Sequence, residues 1–338
     1  MTAVLPDATA APATGALWHE LWAADPGALV TQGPAWTRAA AAGWAARDVS
    51  RAYDFGDRRY VLPLVQRWGA LAASMPNAWG IGGLVGGEPR PADVRRVVAD
   101  LRTLPFAAVR IRPNPLHDAP WAVAGLERIA RRAHVIDLAG GFDYTERFSR
   151  RARSHVRRAE RYGLDVRCDT TGDLVPVFYA LFQQSVARWA GRQREPLALA
   201  RARARARDPQ RKLRRIMTEL DGAARLWVAF HEGRPAAAIL VLQGANAHYT
   251  RGAIDADLAA ETRASYLLHR LAIEEAARSG CGHYHMGETG TSASLAQFKE
   301  AVGARPVPYG EYVVERLPVG RADRAVRTAV KRVLRVHD

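Results

Sequence analysis

The sequence is poor in cysteine and has no long apolar run. Cys168 and Cys281 are its only cysteines, too few for a disulfide framework and typical of a reducing interior, so we expect a cytoplasmic protein. No stretch of 18 or more apolar residues occurs, so no transmembrane helix is predicted. Residues 1–14 lack the basic and apolar segments of a signal peptide, and we expect them to form a disordered tail.

Lysine is the other scarce residue, although the chain is strongly basic. Lys and Arg together number 49 against 34 acidic residues, a net charge of +15, yet only Lys212, Lys299 and Lys331 are lysines. The excess positive charge predicts a polyanionic partner, either nucleic acid or an anionic lipid surface. Ammonium and guanidinium groups are not interchangeable at a chemical site, so a lysine retained in an arginine-rich chain is a candidate functional residue.

The 338 residues predict about two domains. Strand and helix patterns mixed along the chain predict an α/β (α+β) protein with mixed sheets covered by helices. The glycines of Ala139–Gly141 suggest a boundary, which gives an N-terminal domain over 15–140 and a C-terminal domain over 141–318. Apolar runs at Tyr60–Gln66 and Ala78–Val85 are predicted strands of the first domain.

A basic helix is predicted at the start of the second domain, from Tyr144 to Tyr162. Its arginines recur at steps of three or four and so share one face, opposite an apolar stripe that includes Val156. The members of this face are Arg147, Arg150, Arg153, Arg157 and Arg161. Two interpretations stay open, a solvated face partly paired with acids and a track for phosphates.

A second basic segment, the helical arm 188–215, places arginine on every side of a predicted helix. Its expected phosphate contacts are Arg201, Arg203, Arg205, Arg207, Arg211 and Lys212. Such contacts bind a polyanion without reading its sequence. A third segment, 319–338, is predicted to form a basic amphipathic helix that either lies on an anionic membrane or docks on its own domain.

The most informative motif begins with the predicted strand His283–Met286, which ends at Gly287 and Glu288. A polar loop and a predicted helix carrying Phe298 and Lys299 follow. This succession resembles the last part of the FemABX-like acyltransferases of the GNAT superfamily. The resemblance covers the second half of the chain well and the first half loosely, and Tyr249 and Arg251 also lie where such proteins have counterparts.

The resemblance implies two tandem GNAT-like domains with a cleft between them. It also implies transfer of an aminoacyl group from aminoacyl-tRNA to an amine, on a peptidoglycan precursor or a natural-product intermediate, with no further cofactor. In that pattern Lys299 is the chief catalytic group and Phe298 stands beside it. Independently, a fixed cation stabilises the oxyanion that forms when an amine attacks an ester.

The remaining candidates are less specific. Glu288 is a possible general base, and Tyr249 and Arg251 are possible substrate contacts. His283 and His285 share a strand face, but without a third His or Cys at ligand spacing no metal site is predicted.

Two alternatives stay open. One is an acyl-CoA N-acyltransferase, and the other is a non-catalytic RNA- or membrane-binding protein with this fold. An acyl-CoA enzyme holds pyrophosphate on a glycine-rich loop that opens a helix. The corresponding segment Asp255–Thr262 has no glycine and three acids, which favours the tRNA-dependent alternative.

Overall fold

The computed structural model describes residues 9–44, 46–74, 80–290 and 292–316. The described chain forms two compact units, residues 9–133 with 307–316 and residues 134–306. The chain passes from one unit to the other inside two strands, Glu127–Asp137 (β8) and Arg305–Glu315 (β14). The terminal segment 319–338, predicted as an amphipathic helix, lies outside the described residues.

Unit 1 combines two sheets with four helices. The helices are Gly15–Ala24 (α1), Pro34–Trp44 (α2), Pro91–Thr103 (α3) and Ala119–Ala122 (α4). The strands are Thr9–Pro12 (β1), Arg47–Asp48 (β2), Arg51–Asp54 (β3), Arg59–Leu62 (β4), Val65–Trp68 (β5), Leu71–Ala73 (β6) and Ala108–Ile111 (β7). The first sheet has the order β1-β3-β4, and the second has the order β2-β5-β6-β7-β14. The core of unit 1 includes Leu62, Val109 and Trp121.

Three expectations for this unit were wrong. Thr9–Pro12, expected in the disordered tail, pairs antiparallel with Arg51–Asp54. The predicted strand Tyr60–Gln66 is divided into β4 and β5 around Pro63, which has no N–H to donate to a ladder. In the predicted strand Ala78–Val85, the described residues form only an isolated bridge, from Val85 to Val61.

Unit 2 has a sheet of six strands in the order β8-β13-β12-β11-β10-β9. Its further strands are Asp165–Asp169 (β9), Ala224–His231 (β10), Arg234–Gln243 (β11), Ala247–Ile254 (β12) and His283–Glu288 (β13). Its helices are Tyr144–Arg147 (α5), Arg150–Arg161 (α6), Val175–Gln193 (α7), Leu197–Arg207 (α8), Gln210–Glu219 (α9), Ala256–Thr262 (α10), Ala264–Arg278 (α11) and Ala293–Ala301 (α12). Mixed sheets with covering helices confirm the predicted fold class.

The middle of this sheet has two irregularities that shape the site. Strand β12 shifts register against β11 at Thr250. Val241 pairs with Tyr249 and the adjacent Leu240 pairs with Arg251, so Thr250 is an extra residue, a β-bulge. Strands β12 and β13 are parallel, and their register covers only two residue pairs, Ala247 with Tyr284 and His248 with His285. Beyond those pairs, Tyr249 and Arg251 of β12 remain paired with β11.

The predicted helix Tyr144–Tyr162 is two helices, α5 and α6, so its continuity was wrongly predicted. The break lies at Phe148 and Ser149, where the Ser149 hydroxyl accepts a hydrogen bond from the Ala152 N–H and caps α6. The predicted apolar stripe is nevertheless buried, with Phe148, Ala152, Val156 and Ala159 all packed inside. Among the helices described, none is long and apolar enough to cross a membrane.

Candidate active site

Lys299 lies in the last turn of α12 and is buried, with 1% of the residue exposed. The helix begins at a Ser292 cap, and its last turn brings the ammonium to the end of β13. There Nζ donates to the backbone carbonyl of Gly287 at 3.0 Å and to that of Glu288 at 2.9 Å. An ammonium has three N–H groups, so the contacts found within the described chain use two of them.

The environment makes this ammonium readily titratable. Burial lowers the pKa of Lys299 to about 7, while the charge of Glu288 acts in the opposite direction. Both direct partners are neutral carbonyl groups, which stabilise a cation without cancelling its charge. Below about pH 7 the site therefore contains a cation that is held in place and keeps its net charge, and near pH 7 the ammonium and the neutral amine are both populated.

Two buried histidines line the same region, and no motif in the sequence marked either of them. His248 is on β12, and burial together with Lys299 and Arg251 lowers its pKa to about 3. His269 is on α11, and burial together with Lys299 lowers its pKa to about 3 as well. Both rings are therefore neutral at pH 7. His269 lies on the apolar face of α11, where it resembled an ordinary core residue.

Aromatic rings surround His269. The Tyr249 ring lies 4.7 Å from it, centroid to centroid, and the Phe298 ring lies 5.3 Å away on the neighbouring helix. Phe298 also meets Tyr266 at 5.0 Å. Phe298, predicted beside the catalytic lysine, is thus part of an aromatic wall that fixes α12 against α11.

The two substrate-contact candidates follow His248 on β12. Tyr249 is half-buried, and burial raises its pKa to about 12, so it is a neutral hydroxyl. A Cβ on Gly252 would overlap the Tyr249 hydroxyl, so the glycine leaves the space that this ring occupies. Arg251 donates to the Thr250 carbonyl at 2.9 Å and lies 3.6 Å from the Asp208 carboxylate. The bulge at Thr250 sets the positions of both side chains.

Glu288 is half-buried at the end of β13. Its carbonyl binds the Lys299 ammonium, and its carboxylate acts on Lys299 through charge. The rings of His283 and His285 are 6.3 Å apart. Across the described residues, no group of three or more His, Cys, Asp or Glu side chains is arranged to hold a metal ion.

The arginines predicted to form one face of a helix lie on two different helices. Arg147 belongs to α5 and donates to the Asp137 carbonyl, and Arg153 donates to the carbonyls of Thr145 and Phe148. Arg153 therefore binds backbone groups around the break between the helices, whereas Arg147 binds the end of β8. Arg147, Arg150, Arg157 and Arg161 are exposed, and Arg153 is half-buried.

The basic arm consists of the end of α7 with α8 and most of α9. Five of its predicted phosphate contacts are exposed, namely Arg201, Arg203, Arg205, Arg207 and Arg211. Lys212 is different, because its side chain is 1% exposed and its Nζ binds Asp208 at 2.7 Å. The prediction that Lys212 contacts phosphate does not agree with this burial. It lies on the inner face of α9 with Leu213 and Ile216.

The glycine-free segment Asp255–Thr262 is helical rather than a loop. Asp255 caps α10 through the Leu258 N–H, and Arg263, with a φ of 61°, joins α10 to α11. A capped helical turn with its own acidic residues therefore precedes α11, at the place where an acyl-CoA enzyme would have its pyrophosphate loop.

Comparison with known proteins gives one match to a domain model and several matches to solved folds. Residues 146–300 match the model of an acetyltransferase (GNAT) domain. Over the whole chain, the fold is similar to the crystal structure of FemX, with a TM-score of 0.68 and 13% identity over 93% of this chain and 99% of that one. A conserved protein of unknown function from Bacteroides thetaiotaomicron gives a TM-score of 0.52 at 10% identity, over 91% of this chain and 99% of that one. No curated protein matches the sequence.

Proposed function

We propose that the chain is a FemABX-like aminoacyltransferase that takes its acyl group from aminoacyl-tRNA and forms an amide or peptide bond on an amine. The proposal is supported by the match of residues 146–300 to a GNAT acetyltransferase domain and by the similarity of the fold to that of FemX over 93% of the chain. The observation that carries the proposal is the Lys299 ammonium, buried and held by two neutral carbonyls at the end of β13. This group is suited to the oxyanion of an ester aminolysis.

In the reaction, the acceptor nitrogen attacks the ester carbonyl and negative charge grows on its oxygen. Lys299 donates its remaining N–H to that oxygen, and because the ammonium is already oriented and desolvated, the bond strengthens most in the transition state. The C–N bond forms, the C–O bond to the ribose breaks, and the proton lost by the amine passes to the departing ribose hydroxyl.

The supporting residues have separate roles in this proposal. Phe298 fixes the helix that carries Lys299, and Glu288 raises the ammonium fraction. Tyr249 and Arg251 contact the transferred group or the acceptor from the bulge of β12. No cofactor takes part, since the tRNA ester is itself the activated donor.

Exposed arginines would hold the tRNA. On α6 they are Arg150, Arg157 and Arg161, and on α8 and α9 they are Arg201, Arg203, Arg205, Arg207 and Arg211. Neutralising several phosphates makes affinity fall steeply as salt rises.

Incubation with charged tRNA tests the proposal. Purified protein is mixed with a pool of tRNAs carrying labelled amino acids and with candidate amine acceptors. We expect label to pass from tRNA to an amide product in the presence of one acceptor class, and Lys299→Met to abolish the transfer. Label that stays on tRNA with every acceptor would contradict the proposal.

A second candidate, an acyl-CoA N-acyltransferase, is favoured by one finding, because the matching domain model is that of an acetyltransferase. The same lysine would stabilise a thioester-derived oxyanion. Binding of acetyl-CoA at micromolar concentration, measured by calorimetry, together with acetyl transfer to an amine would select this candidate. We expect neither, because the segment before α11 is an acidic helix.

A further inference from the structure

We infer that Asp208 is a positioning residue, which fixes Arg251 beside the active site and attaches the basic helices α8 and α9 to strand β12. The inference rests on the proposed function for its catalytic consequence. Its structural part, that Asp208 restricts the position of the Arg251 guanidinium, does not depend on the proposed function.

Asp208 is a buried carboxylate surrounded by cations from three elements. Its side chain is 2% exposed and it ends α8. Lys212 of α9 binds Oδ1 at 2.7 Å, and Arg207 of α8 binds Oδ2 at 2.8 Å. Arg251 of β12 lies 3.6 Å from the same Oδ2. One carboxylate therefore joins two basic helices to the strand that carries the substrate-contact candidates.

The electrostatics support a fixed joint. Burial opposes ionisation of Asp208, but Arg251, Lys212 and Arg207 outweigh it and keep the pKa of this carboxyl below its usual value. Lys212 also donates to the Arg207 carbonyl at 2.9 Å, so the ammonium bridges the end of α8 and the Asp208 side chain. The charged pair thereby holds the junction between the helices in one geometry.

Arg251 is the member that reaches the active site. It is two residues beyond Tyr249, and its charge contributes to the low pKa of His248. Its side chain is 19% exposed, whereas that of Lys212 is 1% exposed. Asp208 thus joins the fully buried Lys212 to the partly exposed Arg251. The ion pair with Asp208 restricts where the Arg251 guanidinium can point.

The arm contains a matched control. Glu195 is a second acid with a 2% exposed side chain, and it binds the exposed Arg203 at 2.7 Å. Glu195 is as buried as Asp208, and its distance to Arg203 is close to the 2.8 Å between Asp208 and Arg207. Arg203, however, lies on α8 and not on β12. Neutralising Glu195 therefore changes the charge of the arm without releasing Arg251.

The experiment compares D208N/K212M, E195Q and wild type. The double variant removes one charge of each sign from the buried pair. The arginines that lose Asp208 are 46% exposed (Arg207) and 19% exposed (Arg251), so water can solvate them and the variant should keep a near-native melting temperature. Phenylglyoxal labelling of Arg251, read by peptide mass spectrometry, should rise several-fold in the double variant and stay at the wild-type level in E195Q. With aminoacyl-tRNA, kcat should fall by about tenfold or more in the double variant, because small displacements of positioning groups are costly.

The outcomes separate the two proposals. Wild-type labelling of Arg251 in a folded double variant overturns the inference, whatever the activity. If wild-type protein transfers nothing from tRNA but labelling rises as expected, the proposed function fails and the positioning role of Asp208 stands. Should the double variant not fold, Asp208→Glu keeps the charge and displaces it by one methylene, and unchanged Arg251 labelling there overturns the inference as well.

Discussion

The two buried lysines of the described chain, Lys299 and Lys212, differ in what their ammonium groups meet. Lys299 binds two backbone carbonyls, and Lys212 binds the Asp208 carboxylate and one carbonyl. Burial lowers the pKa of both. A carboxylate neutralises its partner and makes a structural joint, whereas carbonyls hold an ammonium group without cancelling its charge. The difference shows that burial alone does not decide whether a lysine keeps its net charge.

Replacing Lys299 should have the largest effect. In Lys299→Met the oxyanion loses its fixed donor, so we expect kcat/KM for aminoacyl transfer to fall about 10²–10³-fold. Affinity for tRNA, measured by fluorescence anisotropy, should stay the same because the exposed arginines are unchanged. Transfer close to the wild-type rate in the folded variant would remove Lys299 from the mechanism.

Replacing Lys212 should act on stability instead. Lys212→Met leaves Asp208 buried without its closest cation, and breaking a buried pair costs about 3–5 kcal/mol in the free energy of unfolding. Urea titration measures the loss. D208N/K212M is the control, since it removes both charges and should recover most of it. A single variant as stable as wild type would show that Arg207 and Arg251 suffice for Asp208.

The pH dependence of the transfer rate should distinguish Lys299 from Lys212. Only the ammonium form of Lys299 stabilises an oxyanion, so transfer to a weakly basic amine should fall about tenfold per pH unit above its pKa of about 7. Stability should change in the opposite direction. The folded pKa lies below the ordinary value of 10.5, so wild-type stability rises between about pH 7 and 10.5, and Lys299→Met should lack that increment. A rate that does not fall above neutral pH would contradict this role.

Neutralising Glu288 should have the smallest effect. Because its charge raises the pKa of Lys299, Glu288→Gln should move the alkaline limb of the rate profile to lower pH by a fraction of a unit. The stability contributed by Lys212 and Asp208 should not change. A uniform loss of rate at all pH values, with the limb in place, would assign Glu288 to proton transfer rather than to electrostatic support.

Some features of the site could be predicted because they are local. The rarity of lysine and the Phe298–Lys299 pair pointed to α12, and the strand ending at Gly287 pointed to β13. The helical period also predicted the buried stripe of α6, including Val156. These depend on residue identity and spacing along one element.

Other features could not be predicted because they depend on packing between elements. His248 and His269 are far apart in sequence and look like core residues, and both come to lie near Lys299. Lys212 was placed on the basic surface because arginines surround it in sequence. Its position four residues before Ile216, on the inner face of α9, was the available sign that it points inward.

The amino-acid sequence alone determined the net charge, the mixed α/β class and the order of the elements that lead to Lys299, because these follow from composition and periodicity. Only the tertiary structure decided which lysine faces two neutral carbonyls and which one faces a carboxylate. The protonation and reach of an ammonium depend on its burial and on the groups facing it, and packing brings those groups together. Arg251 of β12 and Asp208 at the end of α8 meet in that way.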